Sequence, residues 1–299
     1  MDINRIKNNK TTKELLEFGI INIDKPSGPT SFDVSDFVRK RIELSGVRKT
    51  SHFGTLDPKV TGVLPIALNR ACKLTGFFLG ENKEYVGIMR MHEEIDREKL
   101  QEIINKKFLG KIMQKPPVKS RVKRVERERE IISFEILEKD ENGKDFLFRT
   151  EVQGGTYIRK LIDDLGKELG IGAHMLELRR VRAGIFREDD KNYAAVNLYD
   201  FEKAADEYGE GKGNDEKLRK MIIPGEIITE LYPVVNVKED SVKRLYNGSP
   251  LFIKDMAEKS GVKERRICVF SGDKFIGVYN LINSGGVLAK PEFVLQPIK

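Results

Sequence analysis

One carboxylate, Asp57, sits in the run Ser51-His52-Phe53-Gly54-Thr55-Leu56-Asp57-Pro58, which continues through Lys59-Val60-Thr61-Gly62 into Val63-Leu64-Pro65. Gly54 and Gly62 bracket the loop and lend it backbone freedom. Pro58 fixes its own φ and pushes Asp57 towards the extended region. Such a scaffold presents one reactive acid, with His52 as a candidate acid–base partner. The same residues also describe an ordinary Asp-Pro turn.

Arg159 is the second informative residue. The pattern Gly154-Gly155-Thr156 leads into a helix with Ile158, Leu161, Ile162, Leu165 and Leu169 on its apolar face. That places Arg159 in the first turn, facing the positive end of the helix dipole at a cost of about 0.3–1 kcal/mol. The cost asks for an anion, from a ligand or from the protein. Asp57 is a candidate, and an arginine beside it supplies the counter-charge of its ionised form. The alternative is an ordinary surface arginine whose penalty water screens. Tyr85 and Tyr157 stand at strand and helix starts, where each can stack on a base or fill the core. His52, His92 and His174 are the three histidines, and Cys72 and Cys268 are far apart without a CxxC. These cannot assemble a zinc constellation. No Walker loop, no GxGxxG and no paired carboxylate motif occurs, so no cofactor is expected.

The elements that must position these residues read as an α/β domain with a mixed sheet. Phe18 to Asp24 is a buried strand, stopped by Lys25-Pro26-Ser27-Gly28-Pro29. Ser31 is a plausible N-cap for a helix carrying Val34, Phe37, Val38 and Ile42. Val63 to Leu68 and Glu84 to Met89 are strands around a short helix from Arg70 to Leu79. A helix capped near Asp96 buries Leu100, Ile103, Ile104 and Phe108. Ile131 to Leu137 and Phe146 to Val152 form a hairpin around Asn142-Gly143. Met175 to Val181 is a further strand, and 187–231 is polar and mostly helical. From Tyr232 the pattern changes to short strands with Gly-rich turns, a small β-barrel. The division is therefore a flexible N-terminal arm at 1–17, an α/β domain at 18–231 and a β module at 232–299.

Composition narrows the partners. The 299 residues hold 54 Lys and Arg against 47 Asp and Glu, a net charge of +7. A basic surface suits a polyanion. Within Gln114 to Arg124 two prolines exclude helix, and Lys119, Arg121 and Lys123 fall on alternate residues, one face of an extended strand. That face suits an RNA backbone, or a solvated edge. No stretch reaches the ~20 apolar residues of a membrane span. Met1 to Glu17 lacks the apolar core of a signal peptide, and two unpaired cysteines fit a reducing, cytoplasmic compartment.

Taken in order, several motifs resemble the TruB/dyskerin family of pseudouridine synthases over nearly the whole chain. They are Ile23-Asp24-Lys25-Pro26; His52-x-Gly54-Thr55-Leu56-Asp57-Pro58 through Pro65; Lys83-Glu84-Tyr85; Pro116-Pro117 with Ser120; Gly155-Thr156-Tyr157-Ile158-Arg159; and Ala173-His174-Met175 with Leu178-Arg179-Arg180. The tail is similar to a PUA domain. The resemblance implies a mixed-sheet catalytic domain that isomerises uridine to pseudouridine in structured RNA without metal or redox cofactor. It implies Asp57 as the catalytic carboxylate, Tyr85 stacking on the flipped uracil and sharing in proton transfer, and Arg159 paired with Asp57. Leu178 would line the base pocket, Tyr157 orient the nucleotide, and His52 fill the gap left in the RNA stack, with Lys25 also on the substrate side. The base must leave its stack first, at a few kcal/mol.

Two branches of the family compete. Standalone TruB enzymes carry a longer insertion after the Pro-Pro motif, which is absent here. Met91-His92-Glu93-Glu94, the Gly172 to Arg180 run and the PUA-like tail resemble the dyskerin branch. That branch implies a guide RNA, small box H/ACA protein partners and no homo-oligomer; a standalone tRNA T-loop enzyme or a non-catalytic RNA-binding scaffold are the alternatives.

Overall fold

The computed structural model describes residues 1–116, 123–209, 214–258 and 261–297. The first finding corrects the expected flexible arm at 1–17. α1 (Ile3–Asn8) is capped by the Asp2 side chain, and α2 (Thr12–Glu17) by Thr11 in a reciprocal capping box with Glu14. The polar composition of this segment hides four apolar anchors, Ile3, Ile6, Leu15 and Leu16, all buried. Each such burial contributes about 1.5–3 kcal/mol, enough to hold short helices that propensity alone would not.

β1 (Gly19–Lys25) follows, then α3 (Ser31–Arg41). Thr30, not Ser31, caps α3, in a capping box with Asp33. Ser31 turns inward instead. Next come β2 (Thr50–His52), β3 (Thr61–Leu68), a 3-10 turn with α4 (Thr75–Leu79), β4 (Lys83–Met91), α5 (Arg97–Lys107) and β5 (Gly110–Gln114). β6 (Arg127–Lys139) and β7 (Asp145–Val152) form the expected hairpin. α6 (Ile158–Leu169) leads to β8 (Ala173–Ala183), β9 (Phe186–Arg187), β10 (Val196–Asn197), α7 (Leu198–Gly209), α8 (Glu216–Met221) and β11 (Ile222–Pro224).

These strands make one mixed sheet in the order β10-β1-β3-β8-β4-β7-β6-β5, with β11, β2 and β9 attached at its margins. The key neighbour is β8. It runs parallel to β3 and antiparallel to β4, so residues from distant parts of the chain meet on three adjacent strands. Gly62 permits the β3–β8 approach. Its φ is +100°, and a Cβ there would lie 2.2 Å from the Arg180 carbonyl oxygen.

The tail builds a second, five-stranded sheet ordered β12-β14-β15-β16-β13, from β12 (Val234–Asn236), β13 (Leu251–Phe252), β14 (Arg266–Ser271), β15 (Lys274–Ser284) and β16 (Val287–Val294). One element escaped the sequence pattern, α9 (Glu239–Tyr246). Asn247-Gly248 reads as a turn between short strands, but it ends this helix, with Gly248 at φ +80° and its N–H on the Leu245 carbonyl. The two sheets share a core. Phe18, at the start of the first, stacks against Phe275 and Phe293 of the second, with ring centroids 5.8 and 6.1 Å apart. Ile3 and Ile6 join the same cluster. Among the described residues no helix is long and apolar enough to cross a membrane.

Two predictions follow from packing around β3 and β4. Gly62→Ala forces a methyl into the Arg180 backbone at a left-handed φ, so unfolding in urea should show a loss of about 3 kcal/mol or more. Lys83, at the start of β4, is buried and donates to the carbonyls of Phe78, Leu79 and Glu81 near the end of α4. Burial pushes its ammonium down to about 8 from an ordinary 10.5. The unfolded chain then binds more protons than the native one between those values. Stability from this group therefore rises as pH climbs from 8 to 10.5, by on the order of 2–3 kcal/mol. Urea midpoints of Lys83→Met over that range should lack this rise.

Candidate active site

Asp57 lies between β2 and β3 on a loop fastened from several sides. Ser31 at the start of α3 accepts from the Leu56 N–H at 2.7 Å and donates to the Leu56 carbonyl at 2.9 Å. The Gly28 N–H reaches the Pro58 carbonyl at 2.9 Å. Phe53 is buried against Phe78, ring centroids 4.7 Å apart, and Phe186. Two buried cations complete the fastening. Lys25 Nζ donates to the carbonyls of Pro26 (2.8 Å), Pro58 (3.0 Å) and Val60 (2.9 Å). Arg180 Nη2 donates to Gly54 at 3.0 Å and its Nε to Val63 at 2.8 Å.

Above this base the Asp57 carboxylate stays open. Arg159 Nη2 lies 2.7 Å from its Oδ2, with both side chains about half exposed. An exposed pair of this kind contributes ~0–1 kcal/mol to stability, so fold stability does not account for its placement. α6 has no acidic residue in its own first turn. Asp57, from another part of the chain, is the anion that the misplaced arginine asked for. The start of α6 is held by the buried Gln114 of β5. The Gln114 Oε1 accepts from the Tyr157 N–H at 3.0 Å, and its Nε2 donates to the Tyr157 carbonyl at 3.3 Å. Tyr157 is itself half-buried there.

The neighbouring strands supply the rest. Tyr85 on β4 is in register with Arg180 on β8, and both are buried. Leu178, two residues earlier on β8, lies over Gly87, where a Cβ would meet its Cδ1 at 2.9 Å. His52 is half-buried, with Nε2 3.0 Å from Thr55 Oγ1. Burial and the charge of Arg180 push its imidazole below the usual range. The structure therefore joins Asp57 to Arg159, sets Tyr85 and Leu178 on the adjoining strands β4 and β8, and holds His52 at Thr55 of the loop, with Tyr157 fixed at the start of α6 by Gln114.

Lys25 requires a correction. It is fully buried, and its ammonium is spent on three carbonyls beneath the loop, so it positions the loop rather than facing substrate. Of the proposed RNA face, Lys119 and Arg121 lie outside the described residues. Lys123 is exposed and precedes β6 rather than lying in a strand. Sequence reasoning passed over Arg180, Gln114 and Ser31 as site residues. A signal for Arg180 existed, since Arg179 and Arg180 are adjacent on one strand and alternation sends them to opposite faces. Arg179 and Arg182 find carboxylates, Arg179 on Asp24 and Glu188 and Arg182 on Glu84 and Glu151. Among the described residues no group of three or more His, Cys, Asp or Glu side chains is gathered for a metal.

Comparison with known proteins agrees with this geometry. The model of the TruB family pseudouridylate synthase N-terminal domain matches residues 40–158, and that of the tRNA pseudouridylate synthase B C-terminal domain matches 159–229. The Methanopyrus kandleri protein named "Probable tRNA pseudouridine synthase B" is 45% identical over 239 residues, 80% of this chain and 68% of the relative. The Archaeoglobus fulgidus protein of the same name is 41% identical over 87% of this chain and 77% of its own. A chain of a solved Cbf5-Nop10-Gar1 complex superposes with TM-score 0.86 at 34% identity, over 97% of this chain and 89% of that one. A chain of an H/ACA ribonucleoprotein bound to a substrate RNA containing 2′-deoxyuridine superposes at 0.84, with 33% identity over 97% and 89%. The chain belongs to the TruB family of pseudouridine synthases, isomerases of RNA.

Proposed function

We propose that this protein converts uridine to pseudouridine as the guide-RNA-directed catalytic subunit of a box H/ACA ribonucleoprotein, with Asp57 as the reacting carboxylate. The observation that carries the assignment of Asp57 is its contact with Arg159, 2.7 Å away, on a loop whose backbone is fixed while the carboxylate is open. Asp57 promotes cleavage of the bond between C1′ of the ribose and N1 of the base. The freed uracil turns, C5 bonds to C1′, and the proton on C5 leaves as N1 regains one, so atoms balance without a co-reactant. Arg159 orients the carboxylate, Leu178 and Tyr85 hold the base, and Tyr157 and His52 flank it.

Guide dependence is supported by the match over 97% of the chain, tail sheet included, to a chain of a Cbf5-Nop10-Gar1 complex. Partners of the Nop10 and Gar1 kind, a guide RNA and a cytoplasmic setting belong to this reading. So do an RNA-contacting role for Lys119, Arg121 and Lys123 and a division of the chain near residue 231. The names of the curated relatives favour a second reading, a standalone enzyme acting on tRNA.

In single-turnover assays Asp57→Asn should abolish pseudouridine formation, a fall of about 10⁴-fold or more, while RNA affinity stays within about threefold. Arg159→Ala should cost about 10²-fold through loss of orientation. Persistent modification by Asp57→Asn would remove the assignment. Incubation of the pure protein with a bare tRNA transcript separates the two readings: efficient modification without guide or partners sinks strict guide dependence.

A further inference from the structure

The Asp57–Arg159 pair is about half exposed. Such a pair is too weak to fix its own geometry, so each end needs an anchor elsewhere. Ser31 anchors the loop end through the Leu56 backbone. The arginine end depends on how the first turn of α6 is aimed, and the helix does little to hold that turn itself. Its N-cap is Tyr157, whose side chain makes no capping bond, and no acidic residue stands in its first turn. In a capping box the N–H of the N-cap residue is taken by an acceptor side chain at the third helical position. That position here is Lys160, which has no acceptor and pairs instead with Asp163 and Asp164.

Gln114, the last residue of β5, takes over the role from a strand. Only 2% of it is exposed, and a buried amide needs partners for both its oxygen and its nitrogen. Both partners are the backbone of Tyr157: the oxygen accepts from the N–H at 3.0 Å, and the nitrogen donates to the carbonyl at 3.3 Å. One of these groups can only donate and the other can only accept, so the amide has a single orientation. The same carbonyl accepts from the Leu161 N–H at 3.0 Å, which starts the helical ladder. A second tie comes from β6, the strand paired with β5. Arg129 Nε donates to the Gly155 carbonyl at 3.1 Å. Gly155 has φ +85°, and a Cβ there would lie 3.3 Å from Arg129 Nη2. The turn into α6 is thus fastened to two strands just before it delivers Arg159 to Asp57.

We propose that Gln114 is a positioning residue for the isomerisation: by clasping both polar groups of the Tyr157 backbone it aims the first turn of α6, so that Arg159 meets Asp57 in the reactive orientation. The proposal rests on the assignment of Asp57 and Arg159 made above. Gln114 is buried and acts through the Tyr157 backbone.

A double-mutant cycle tests it, in single-turnover pseudouridine formation by the protein in the assembly that modifies RNA. Gln114→Met keeps the length and removes both bonds. It should slow the reaction by about 30-fold, with the RNA dissociation constant within about threefold and the thermal midpoint within a few degrees. In an Arg159→Ala background, where the aimed group is gone, the same substitution should cost less than about threefold. Equal costs in the two backgrounds would overturn the proposal and leave the Asp57 and Arg159 assignments standing. An undiminished rate for Arg159→Ala alone would remove the Arg159 assignment and the proposal with it. A fall in RNA affinity that accounts for the whole rate loss would also overturn it. Should Gln114→Met not fold, Gln114→Glu, which keeps the length and the acceptor for the Tyr157 N–H, runs the same cycle with the same outcomes.

Discussion

The active-site loop depends on cations buried beneath it. Backbone carbonyls that point inward need donors, and no strand pairs with the Pro58, Val60 or Gly54 carbonyls. Lys25 and Arg180 fill that need from below. A charged donor forms stronger hydrogen bonds than a neutral one, and several acceptors per cation offset part of the cost of leaving water. The loop is therefore rigid in its backbone without being covered, which is how one face of Asp57 can stay open. A loop closed over by apolar side chains would be equally rigid, but it would bury the carboxylate.

This arrangement separates stability from chemistry. The groups that hold the loop are buried: Lys25, Arg180, Ser31 and Phe53. The Asp57–Arg159 pair is instead about half exposed and weakly held. Binding of a nucleotide would exclude water from that pair and strengthen it. The interaction would then be worth most when the site is occupied.

The two sheets and the N-terminal helices are one packed body rather than beads on a chain. Phe18 sits where α2 hands over to β1, and it is also the residue against which the tail sheet packs. Ions repeat the link, since Arg5 pairs with Asp273 at 2.8 Å. The tail sheet is thereby fixed relative to the loop that carries Asp57.

Much was legible without coordinates. Local patterns determined β1, β3, β4, β6, β7 and β8, the helix that starts at Ile158, the Asp57 loop and the small strands of the tail, because alternation, caps and Gly/Pro punctuation act over a few residues. The dipole argument even foretold that Arg159 wants an anion. Other features are properties of neighbours that no short window contains. Whether residues 1–17 fold depends on the apolar wall that meets Ile3, Ile6, Leu15 and Leu16. Whether Asn247-Gly248 follows a strand or a helix depends on what α9 packs against. Lys25 and Arg180 look like surface cations in a basic sequence. The parallel meeting of β3 with β8 at Gly62 turned Arg180 inward, and the pairing of β1 with β3 set Lys25 beneath the loop. The sequence by itself determined which residue types were available for chemistry and roughly where they lay. Tertiary structure decided which of them stay exposed and which hold the loop, because Arg180 draws its hydrogen-bond partners from segments more than a hundred residues away.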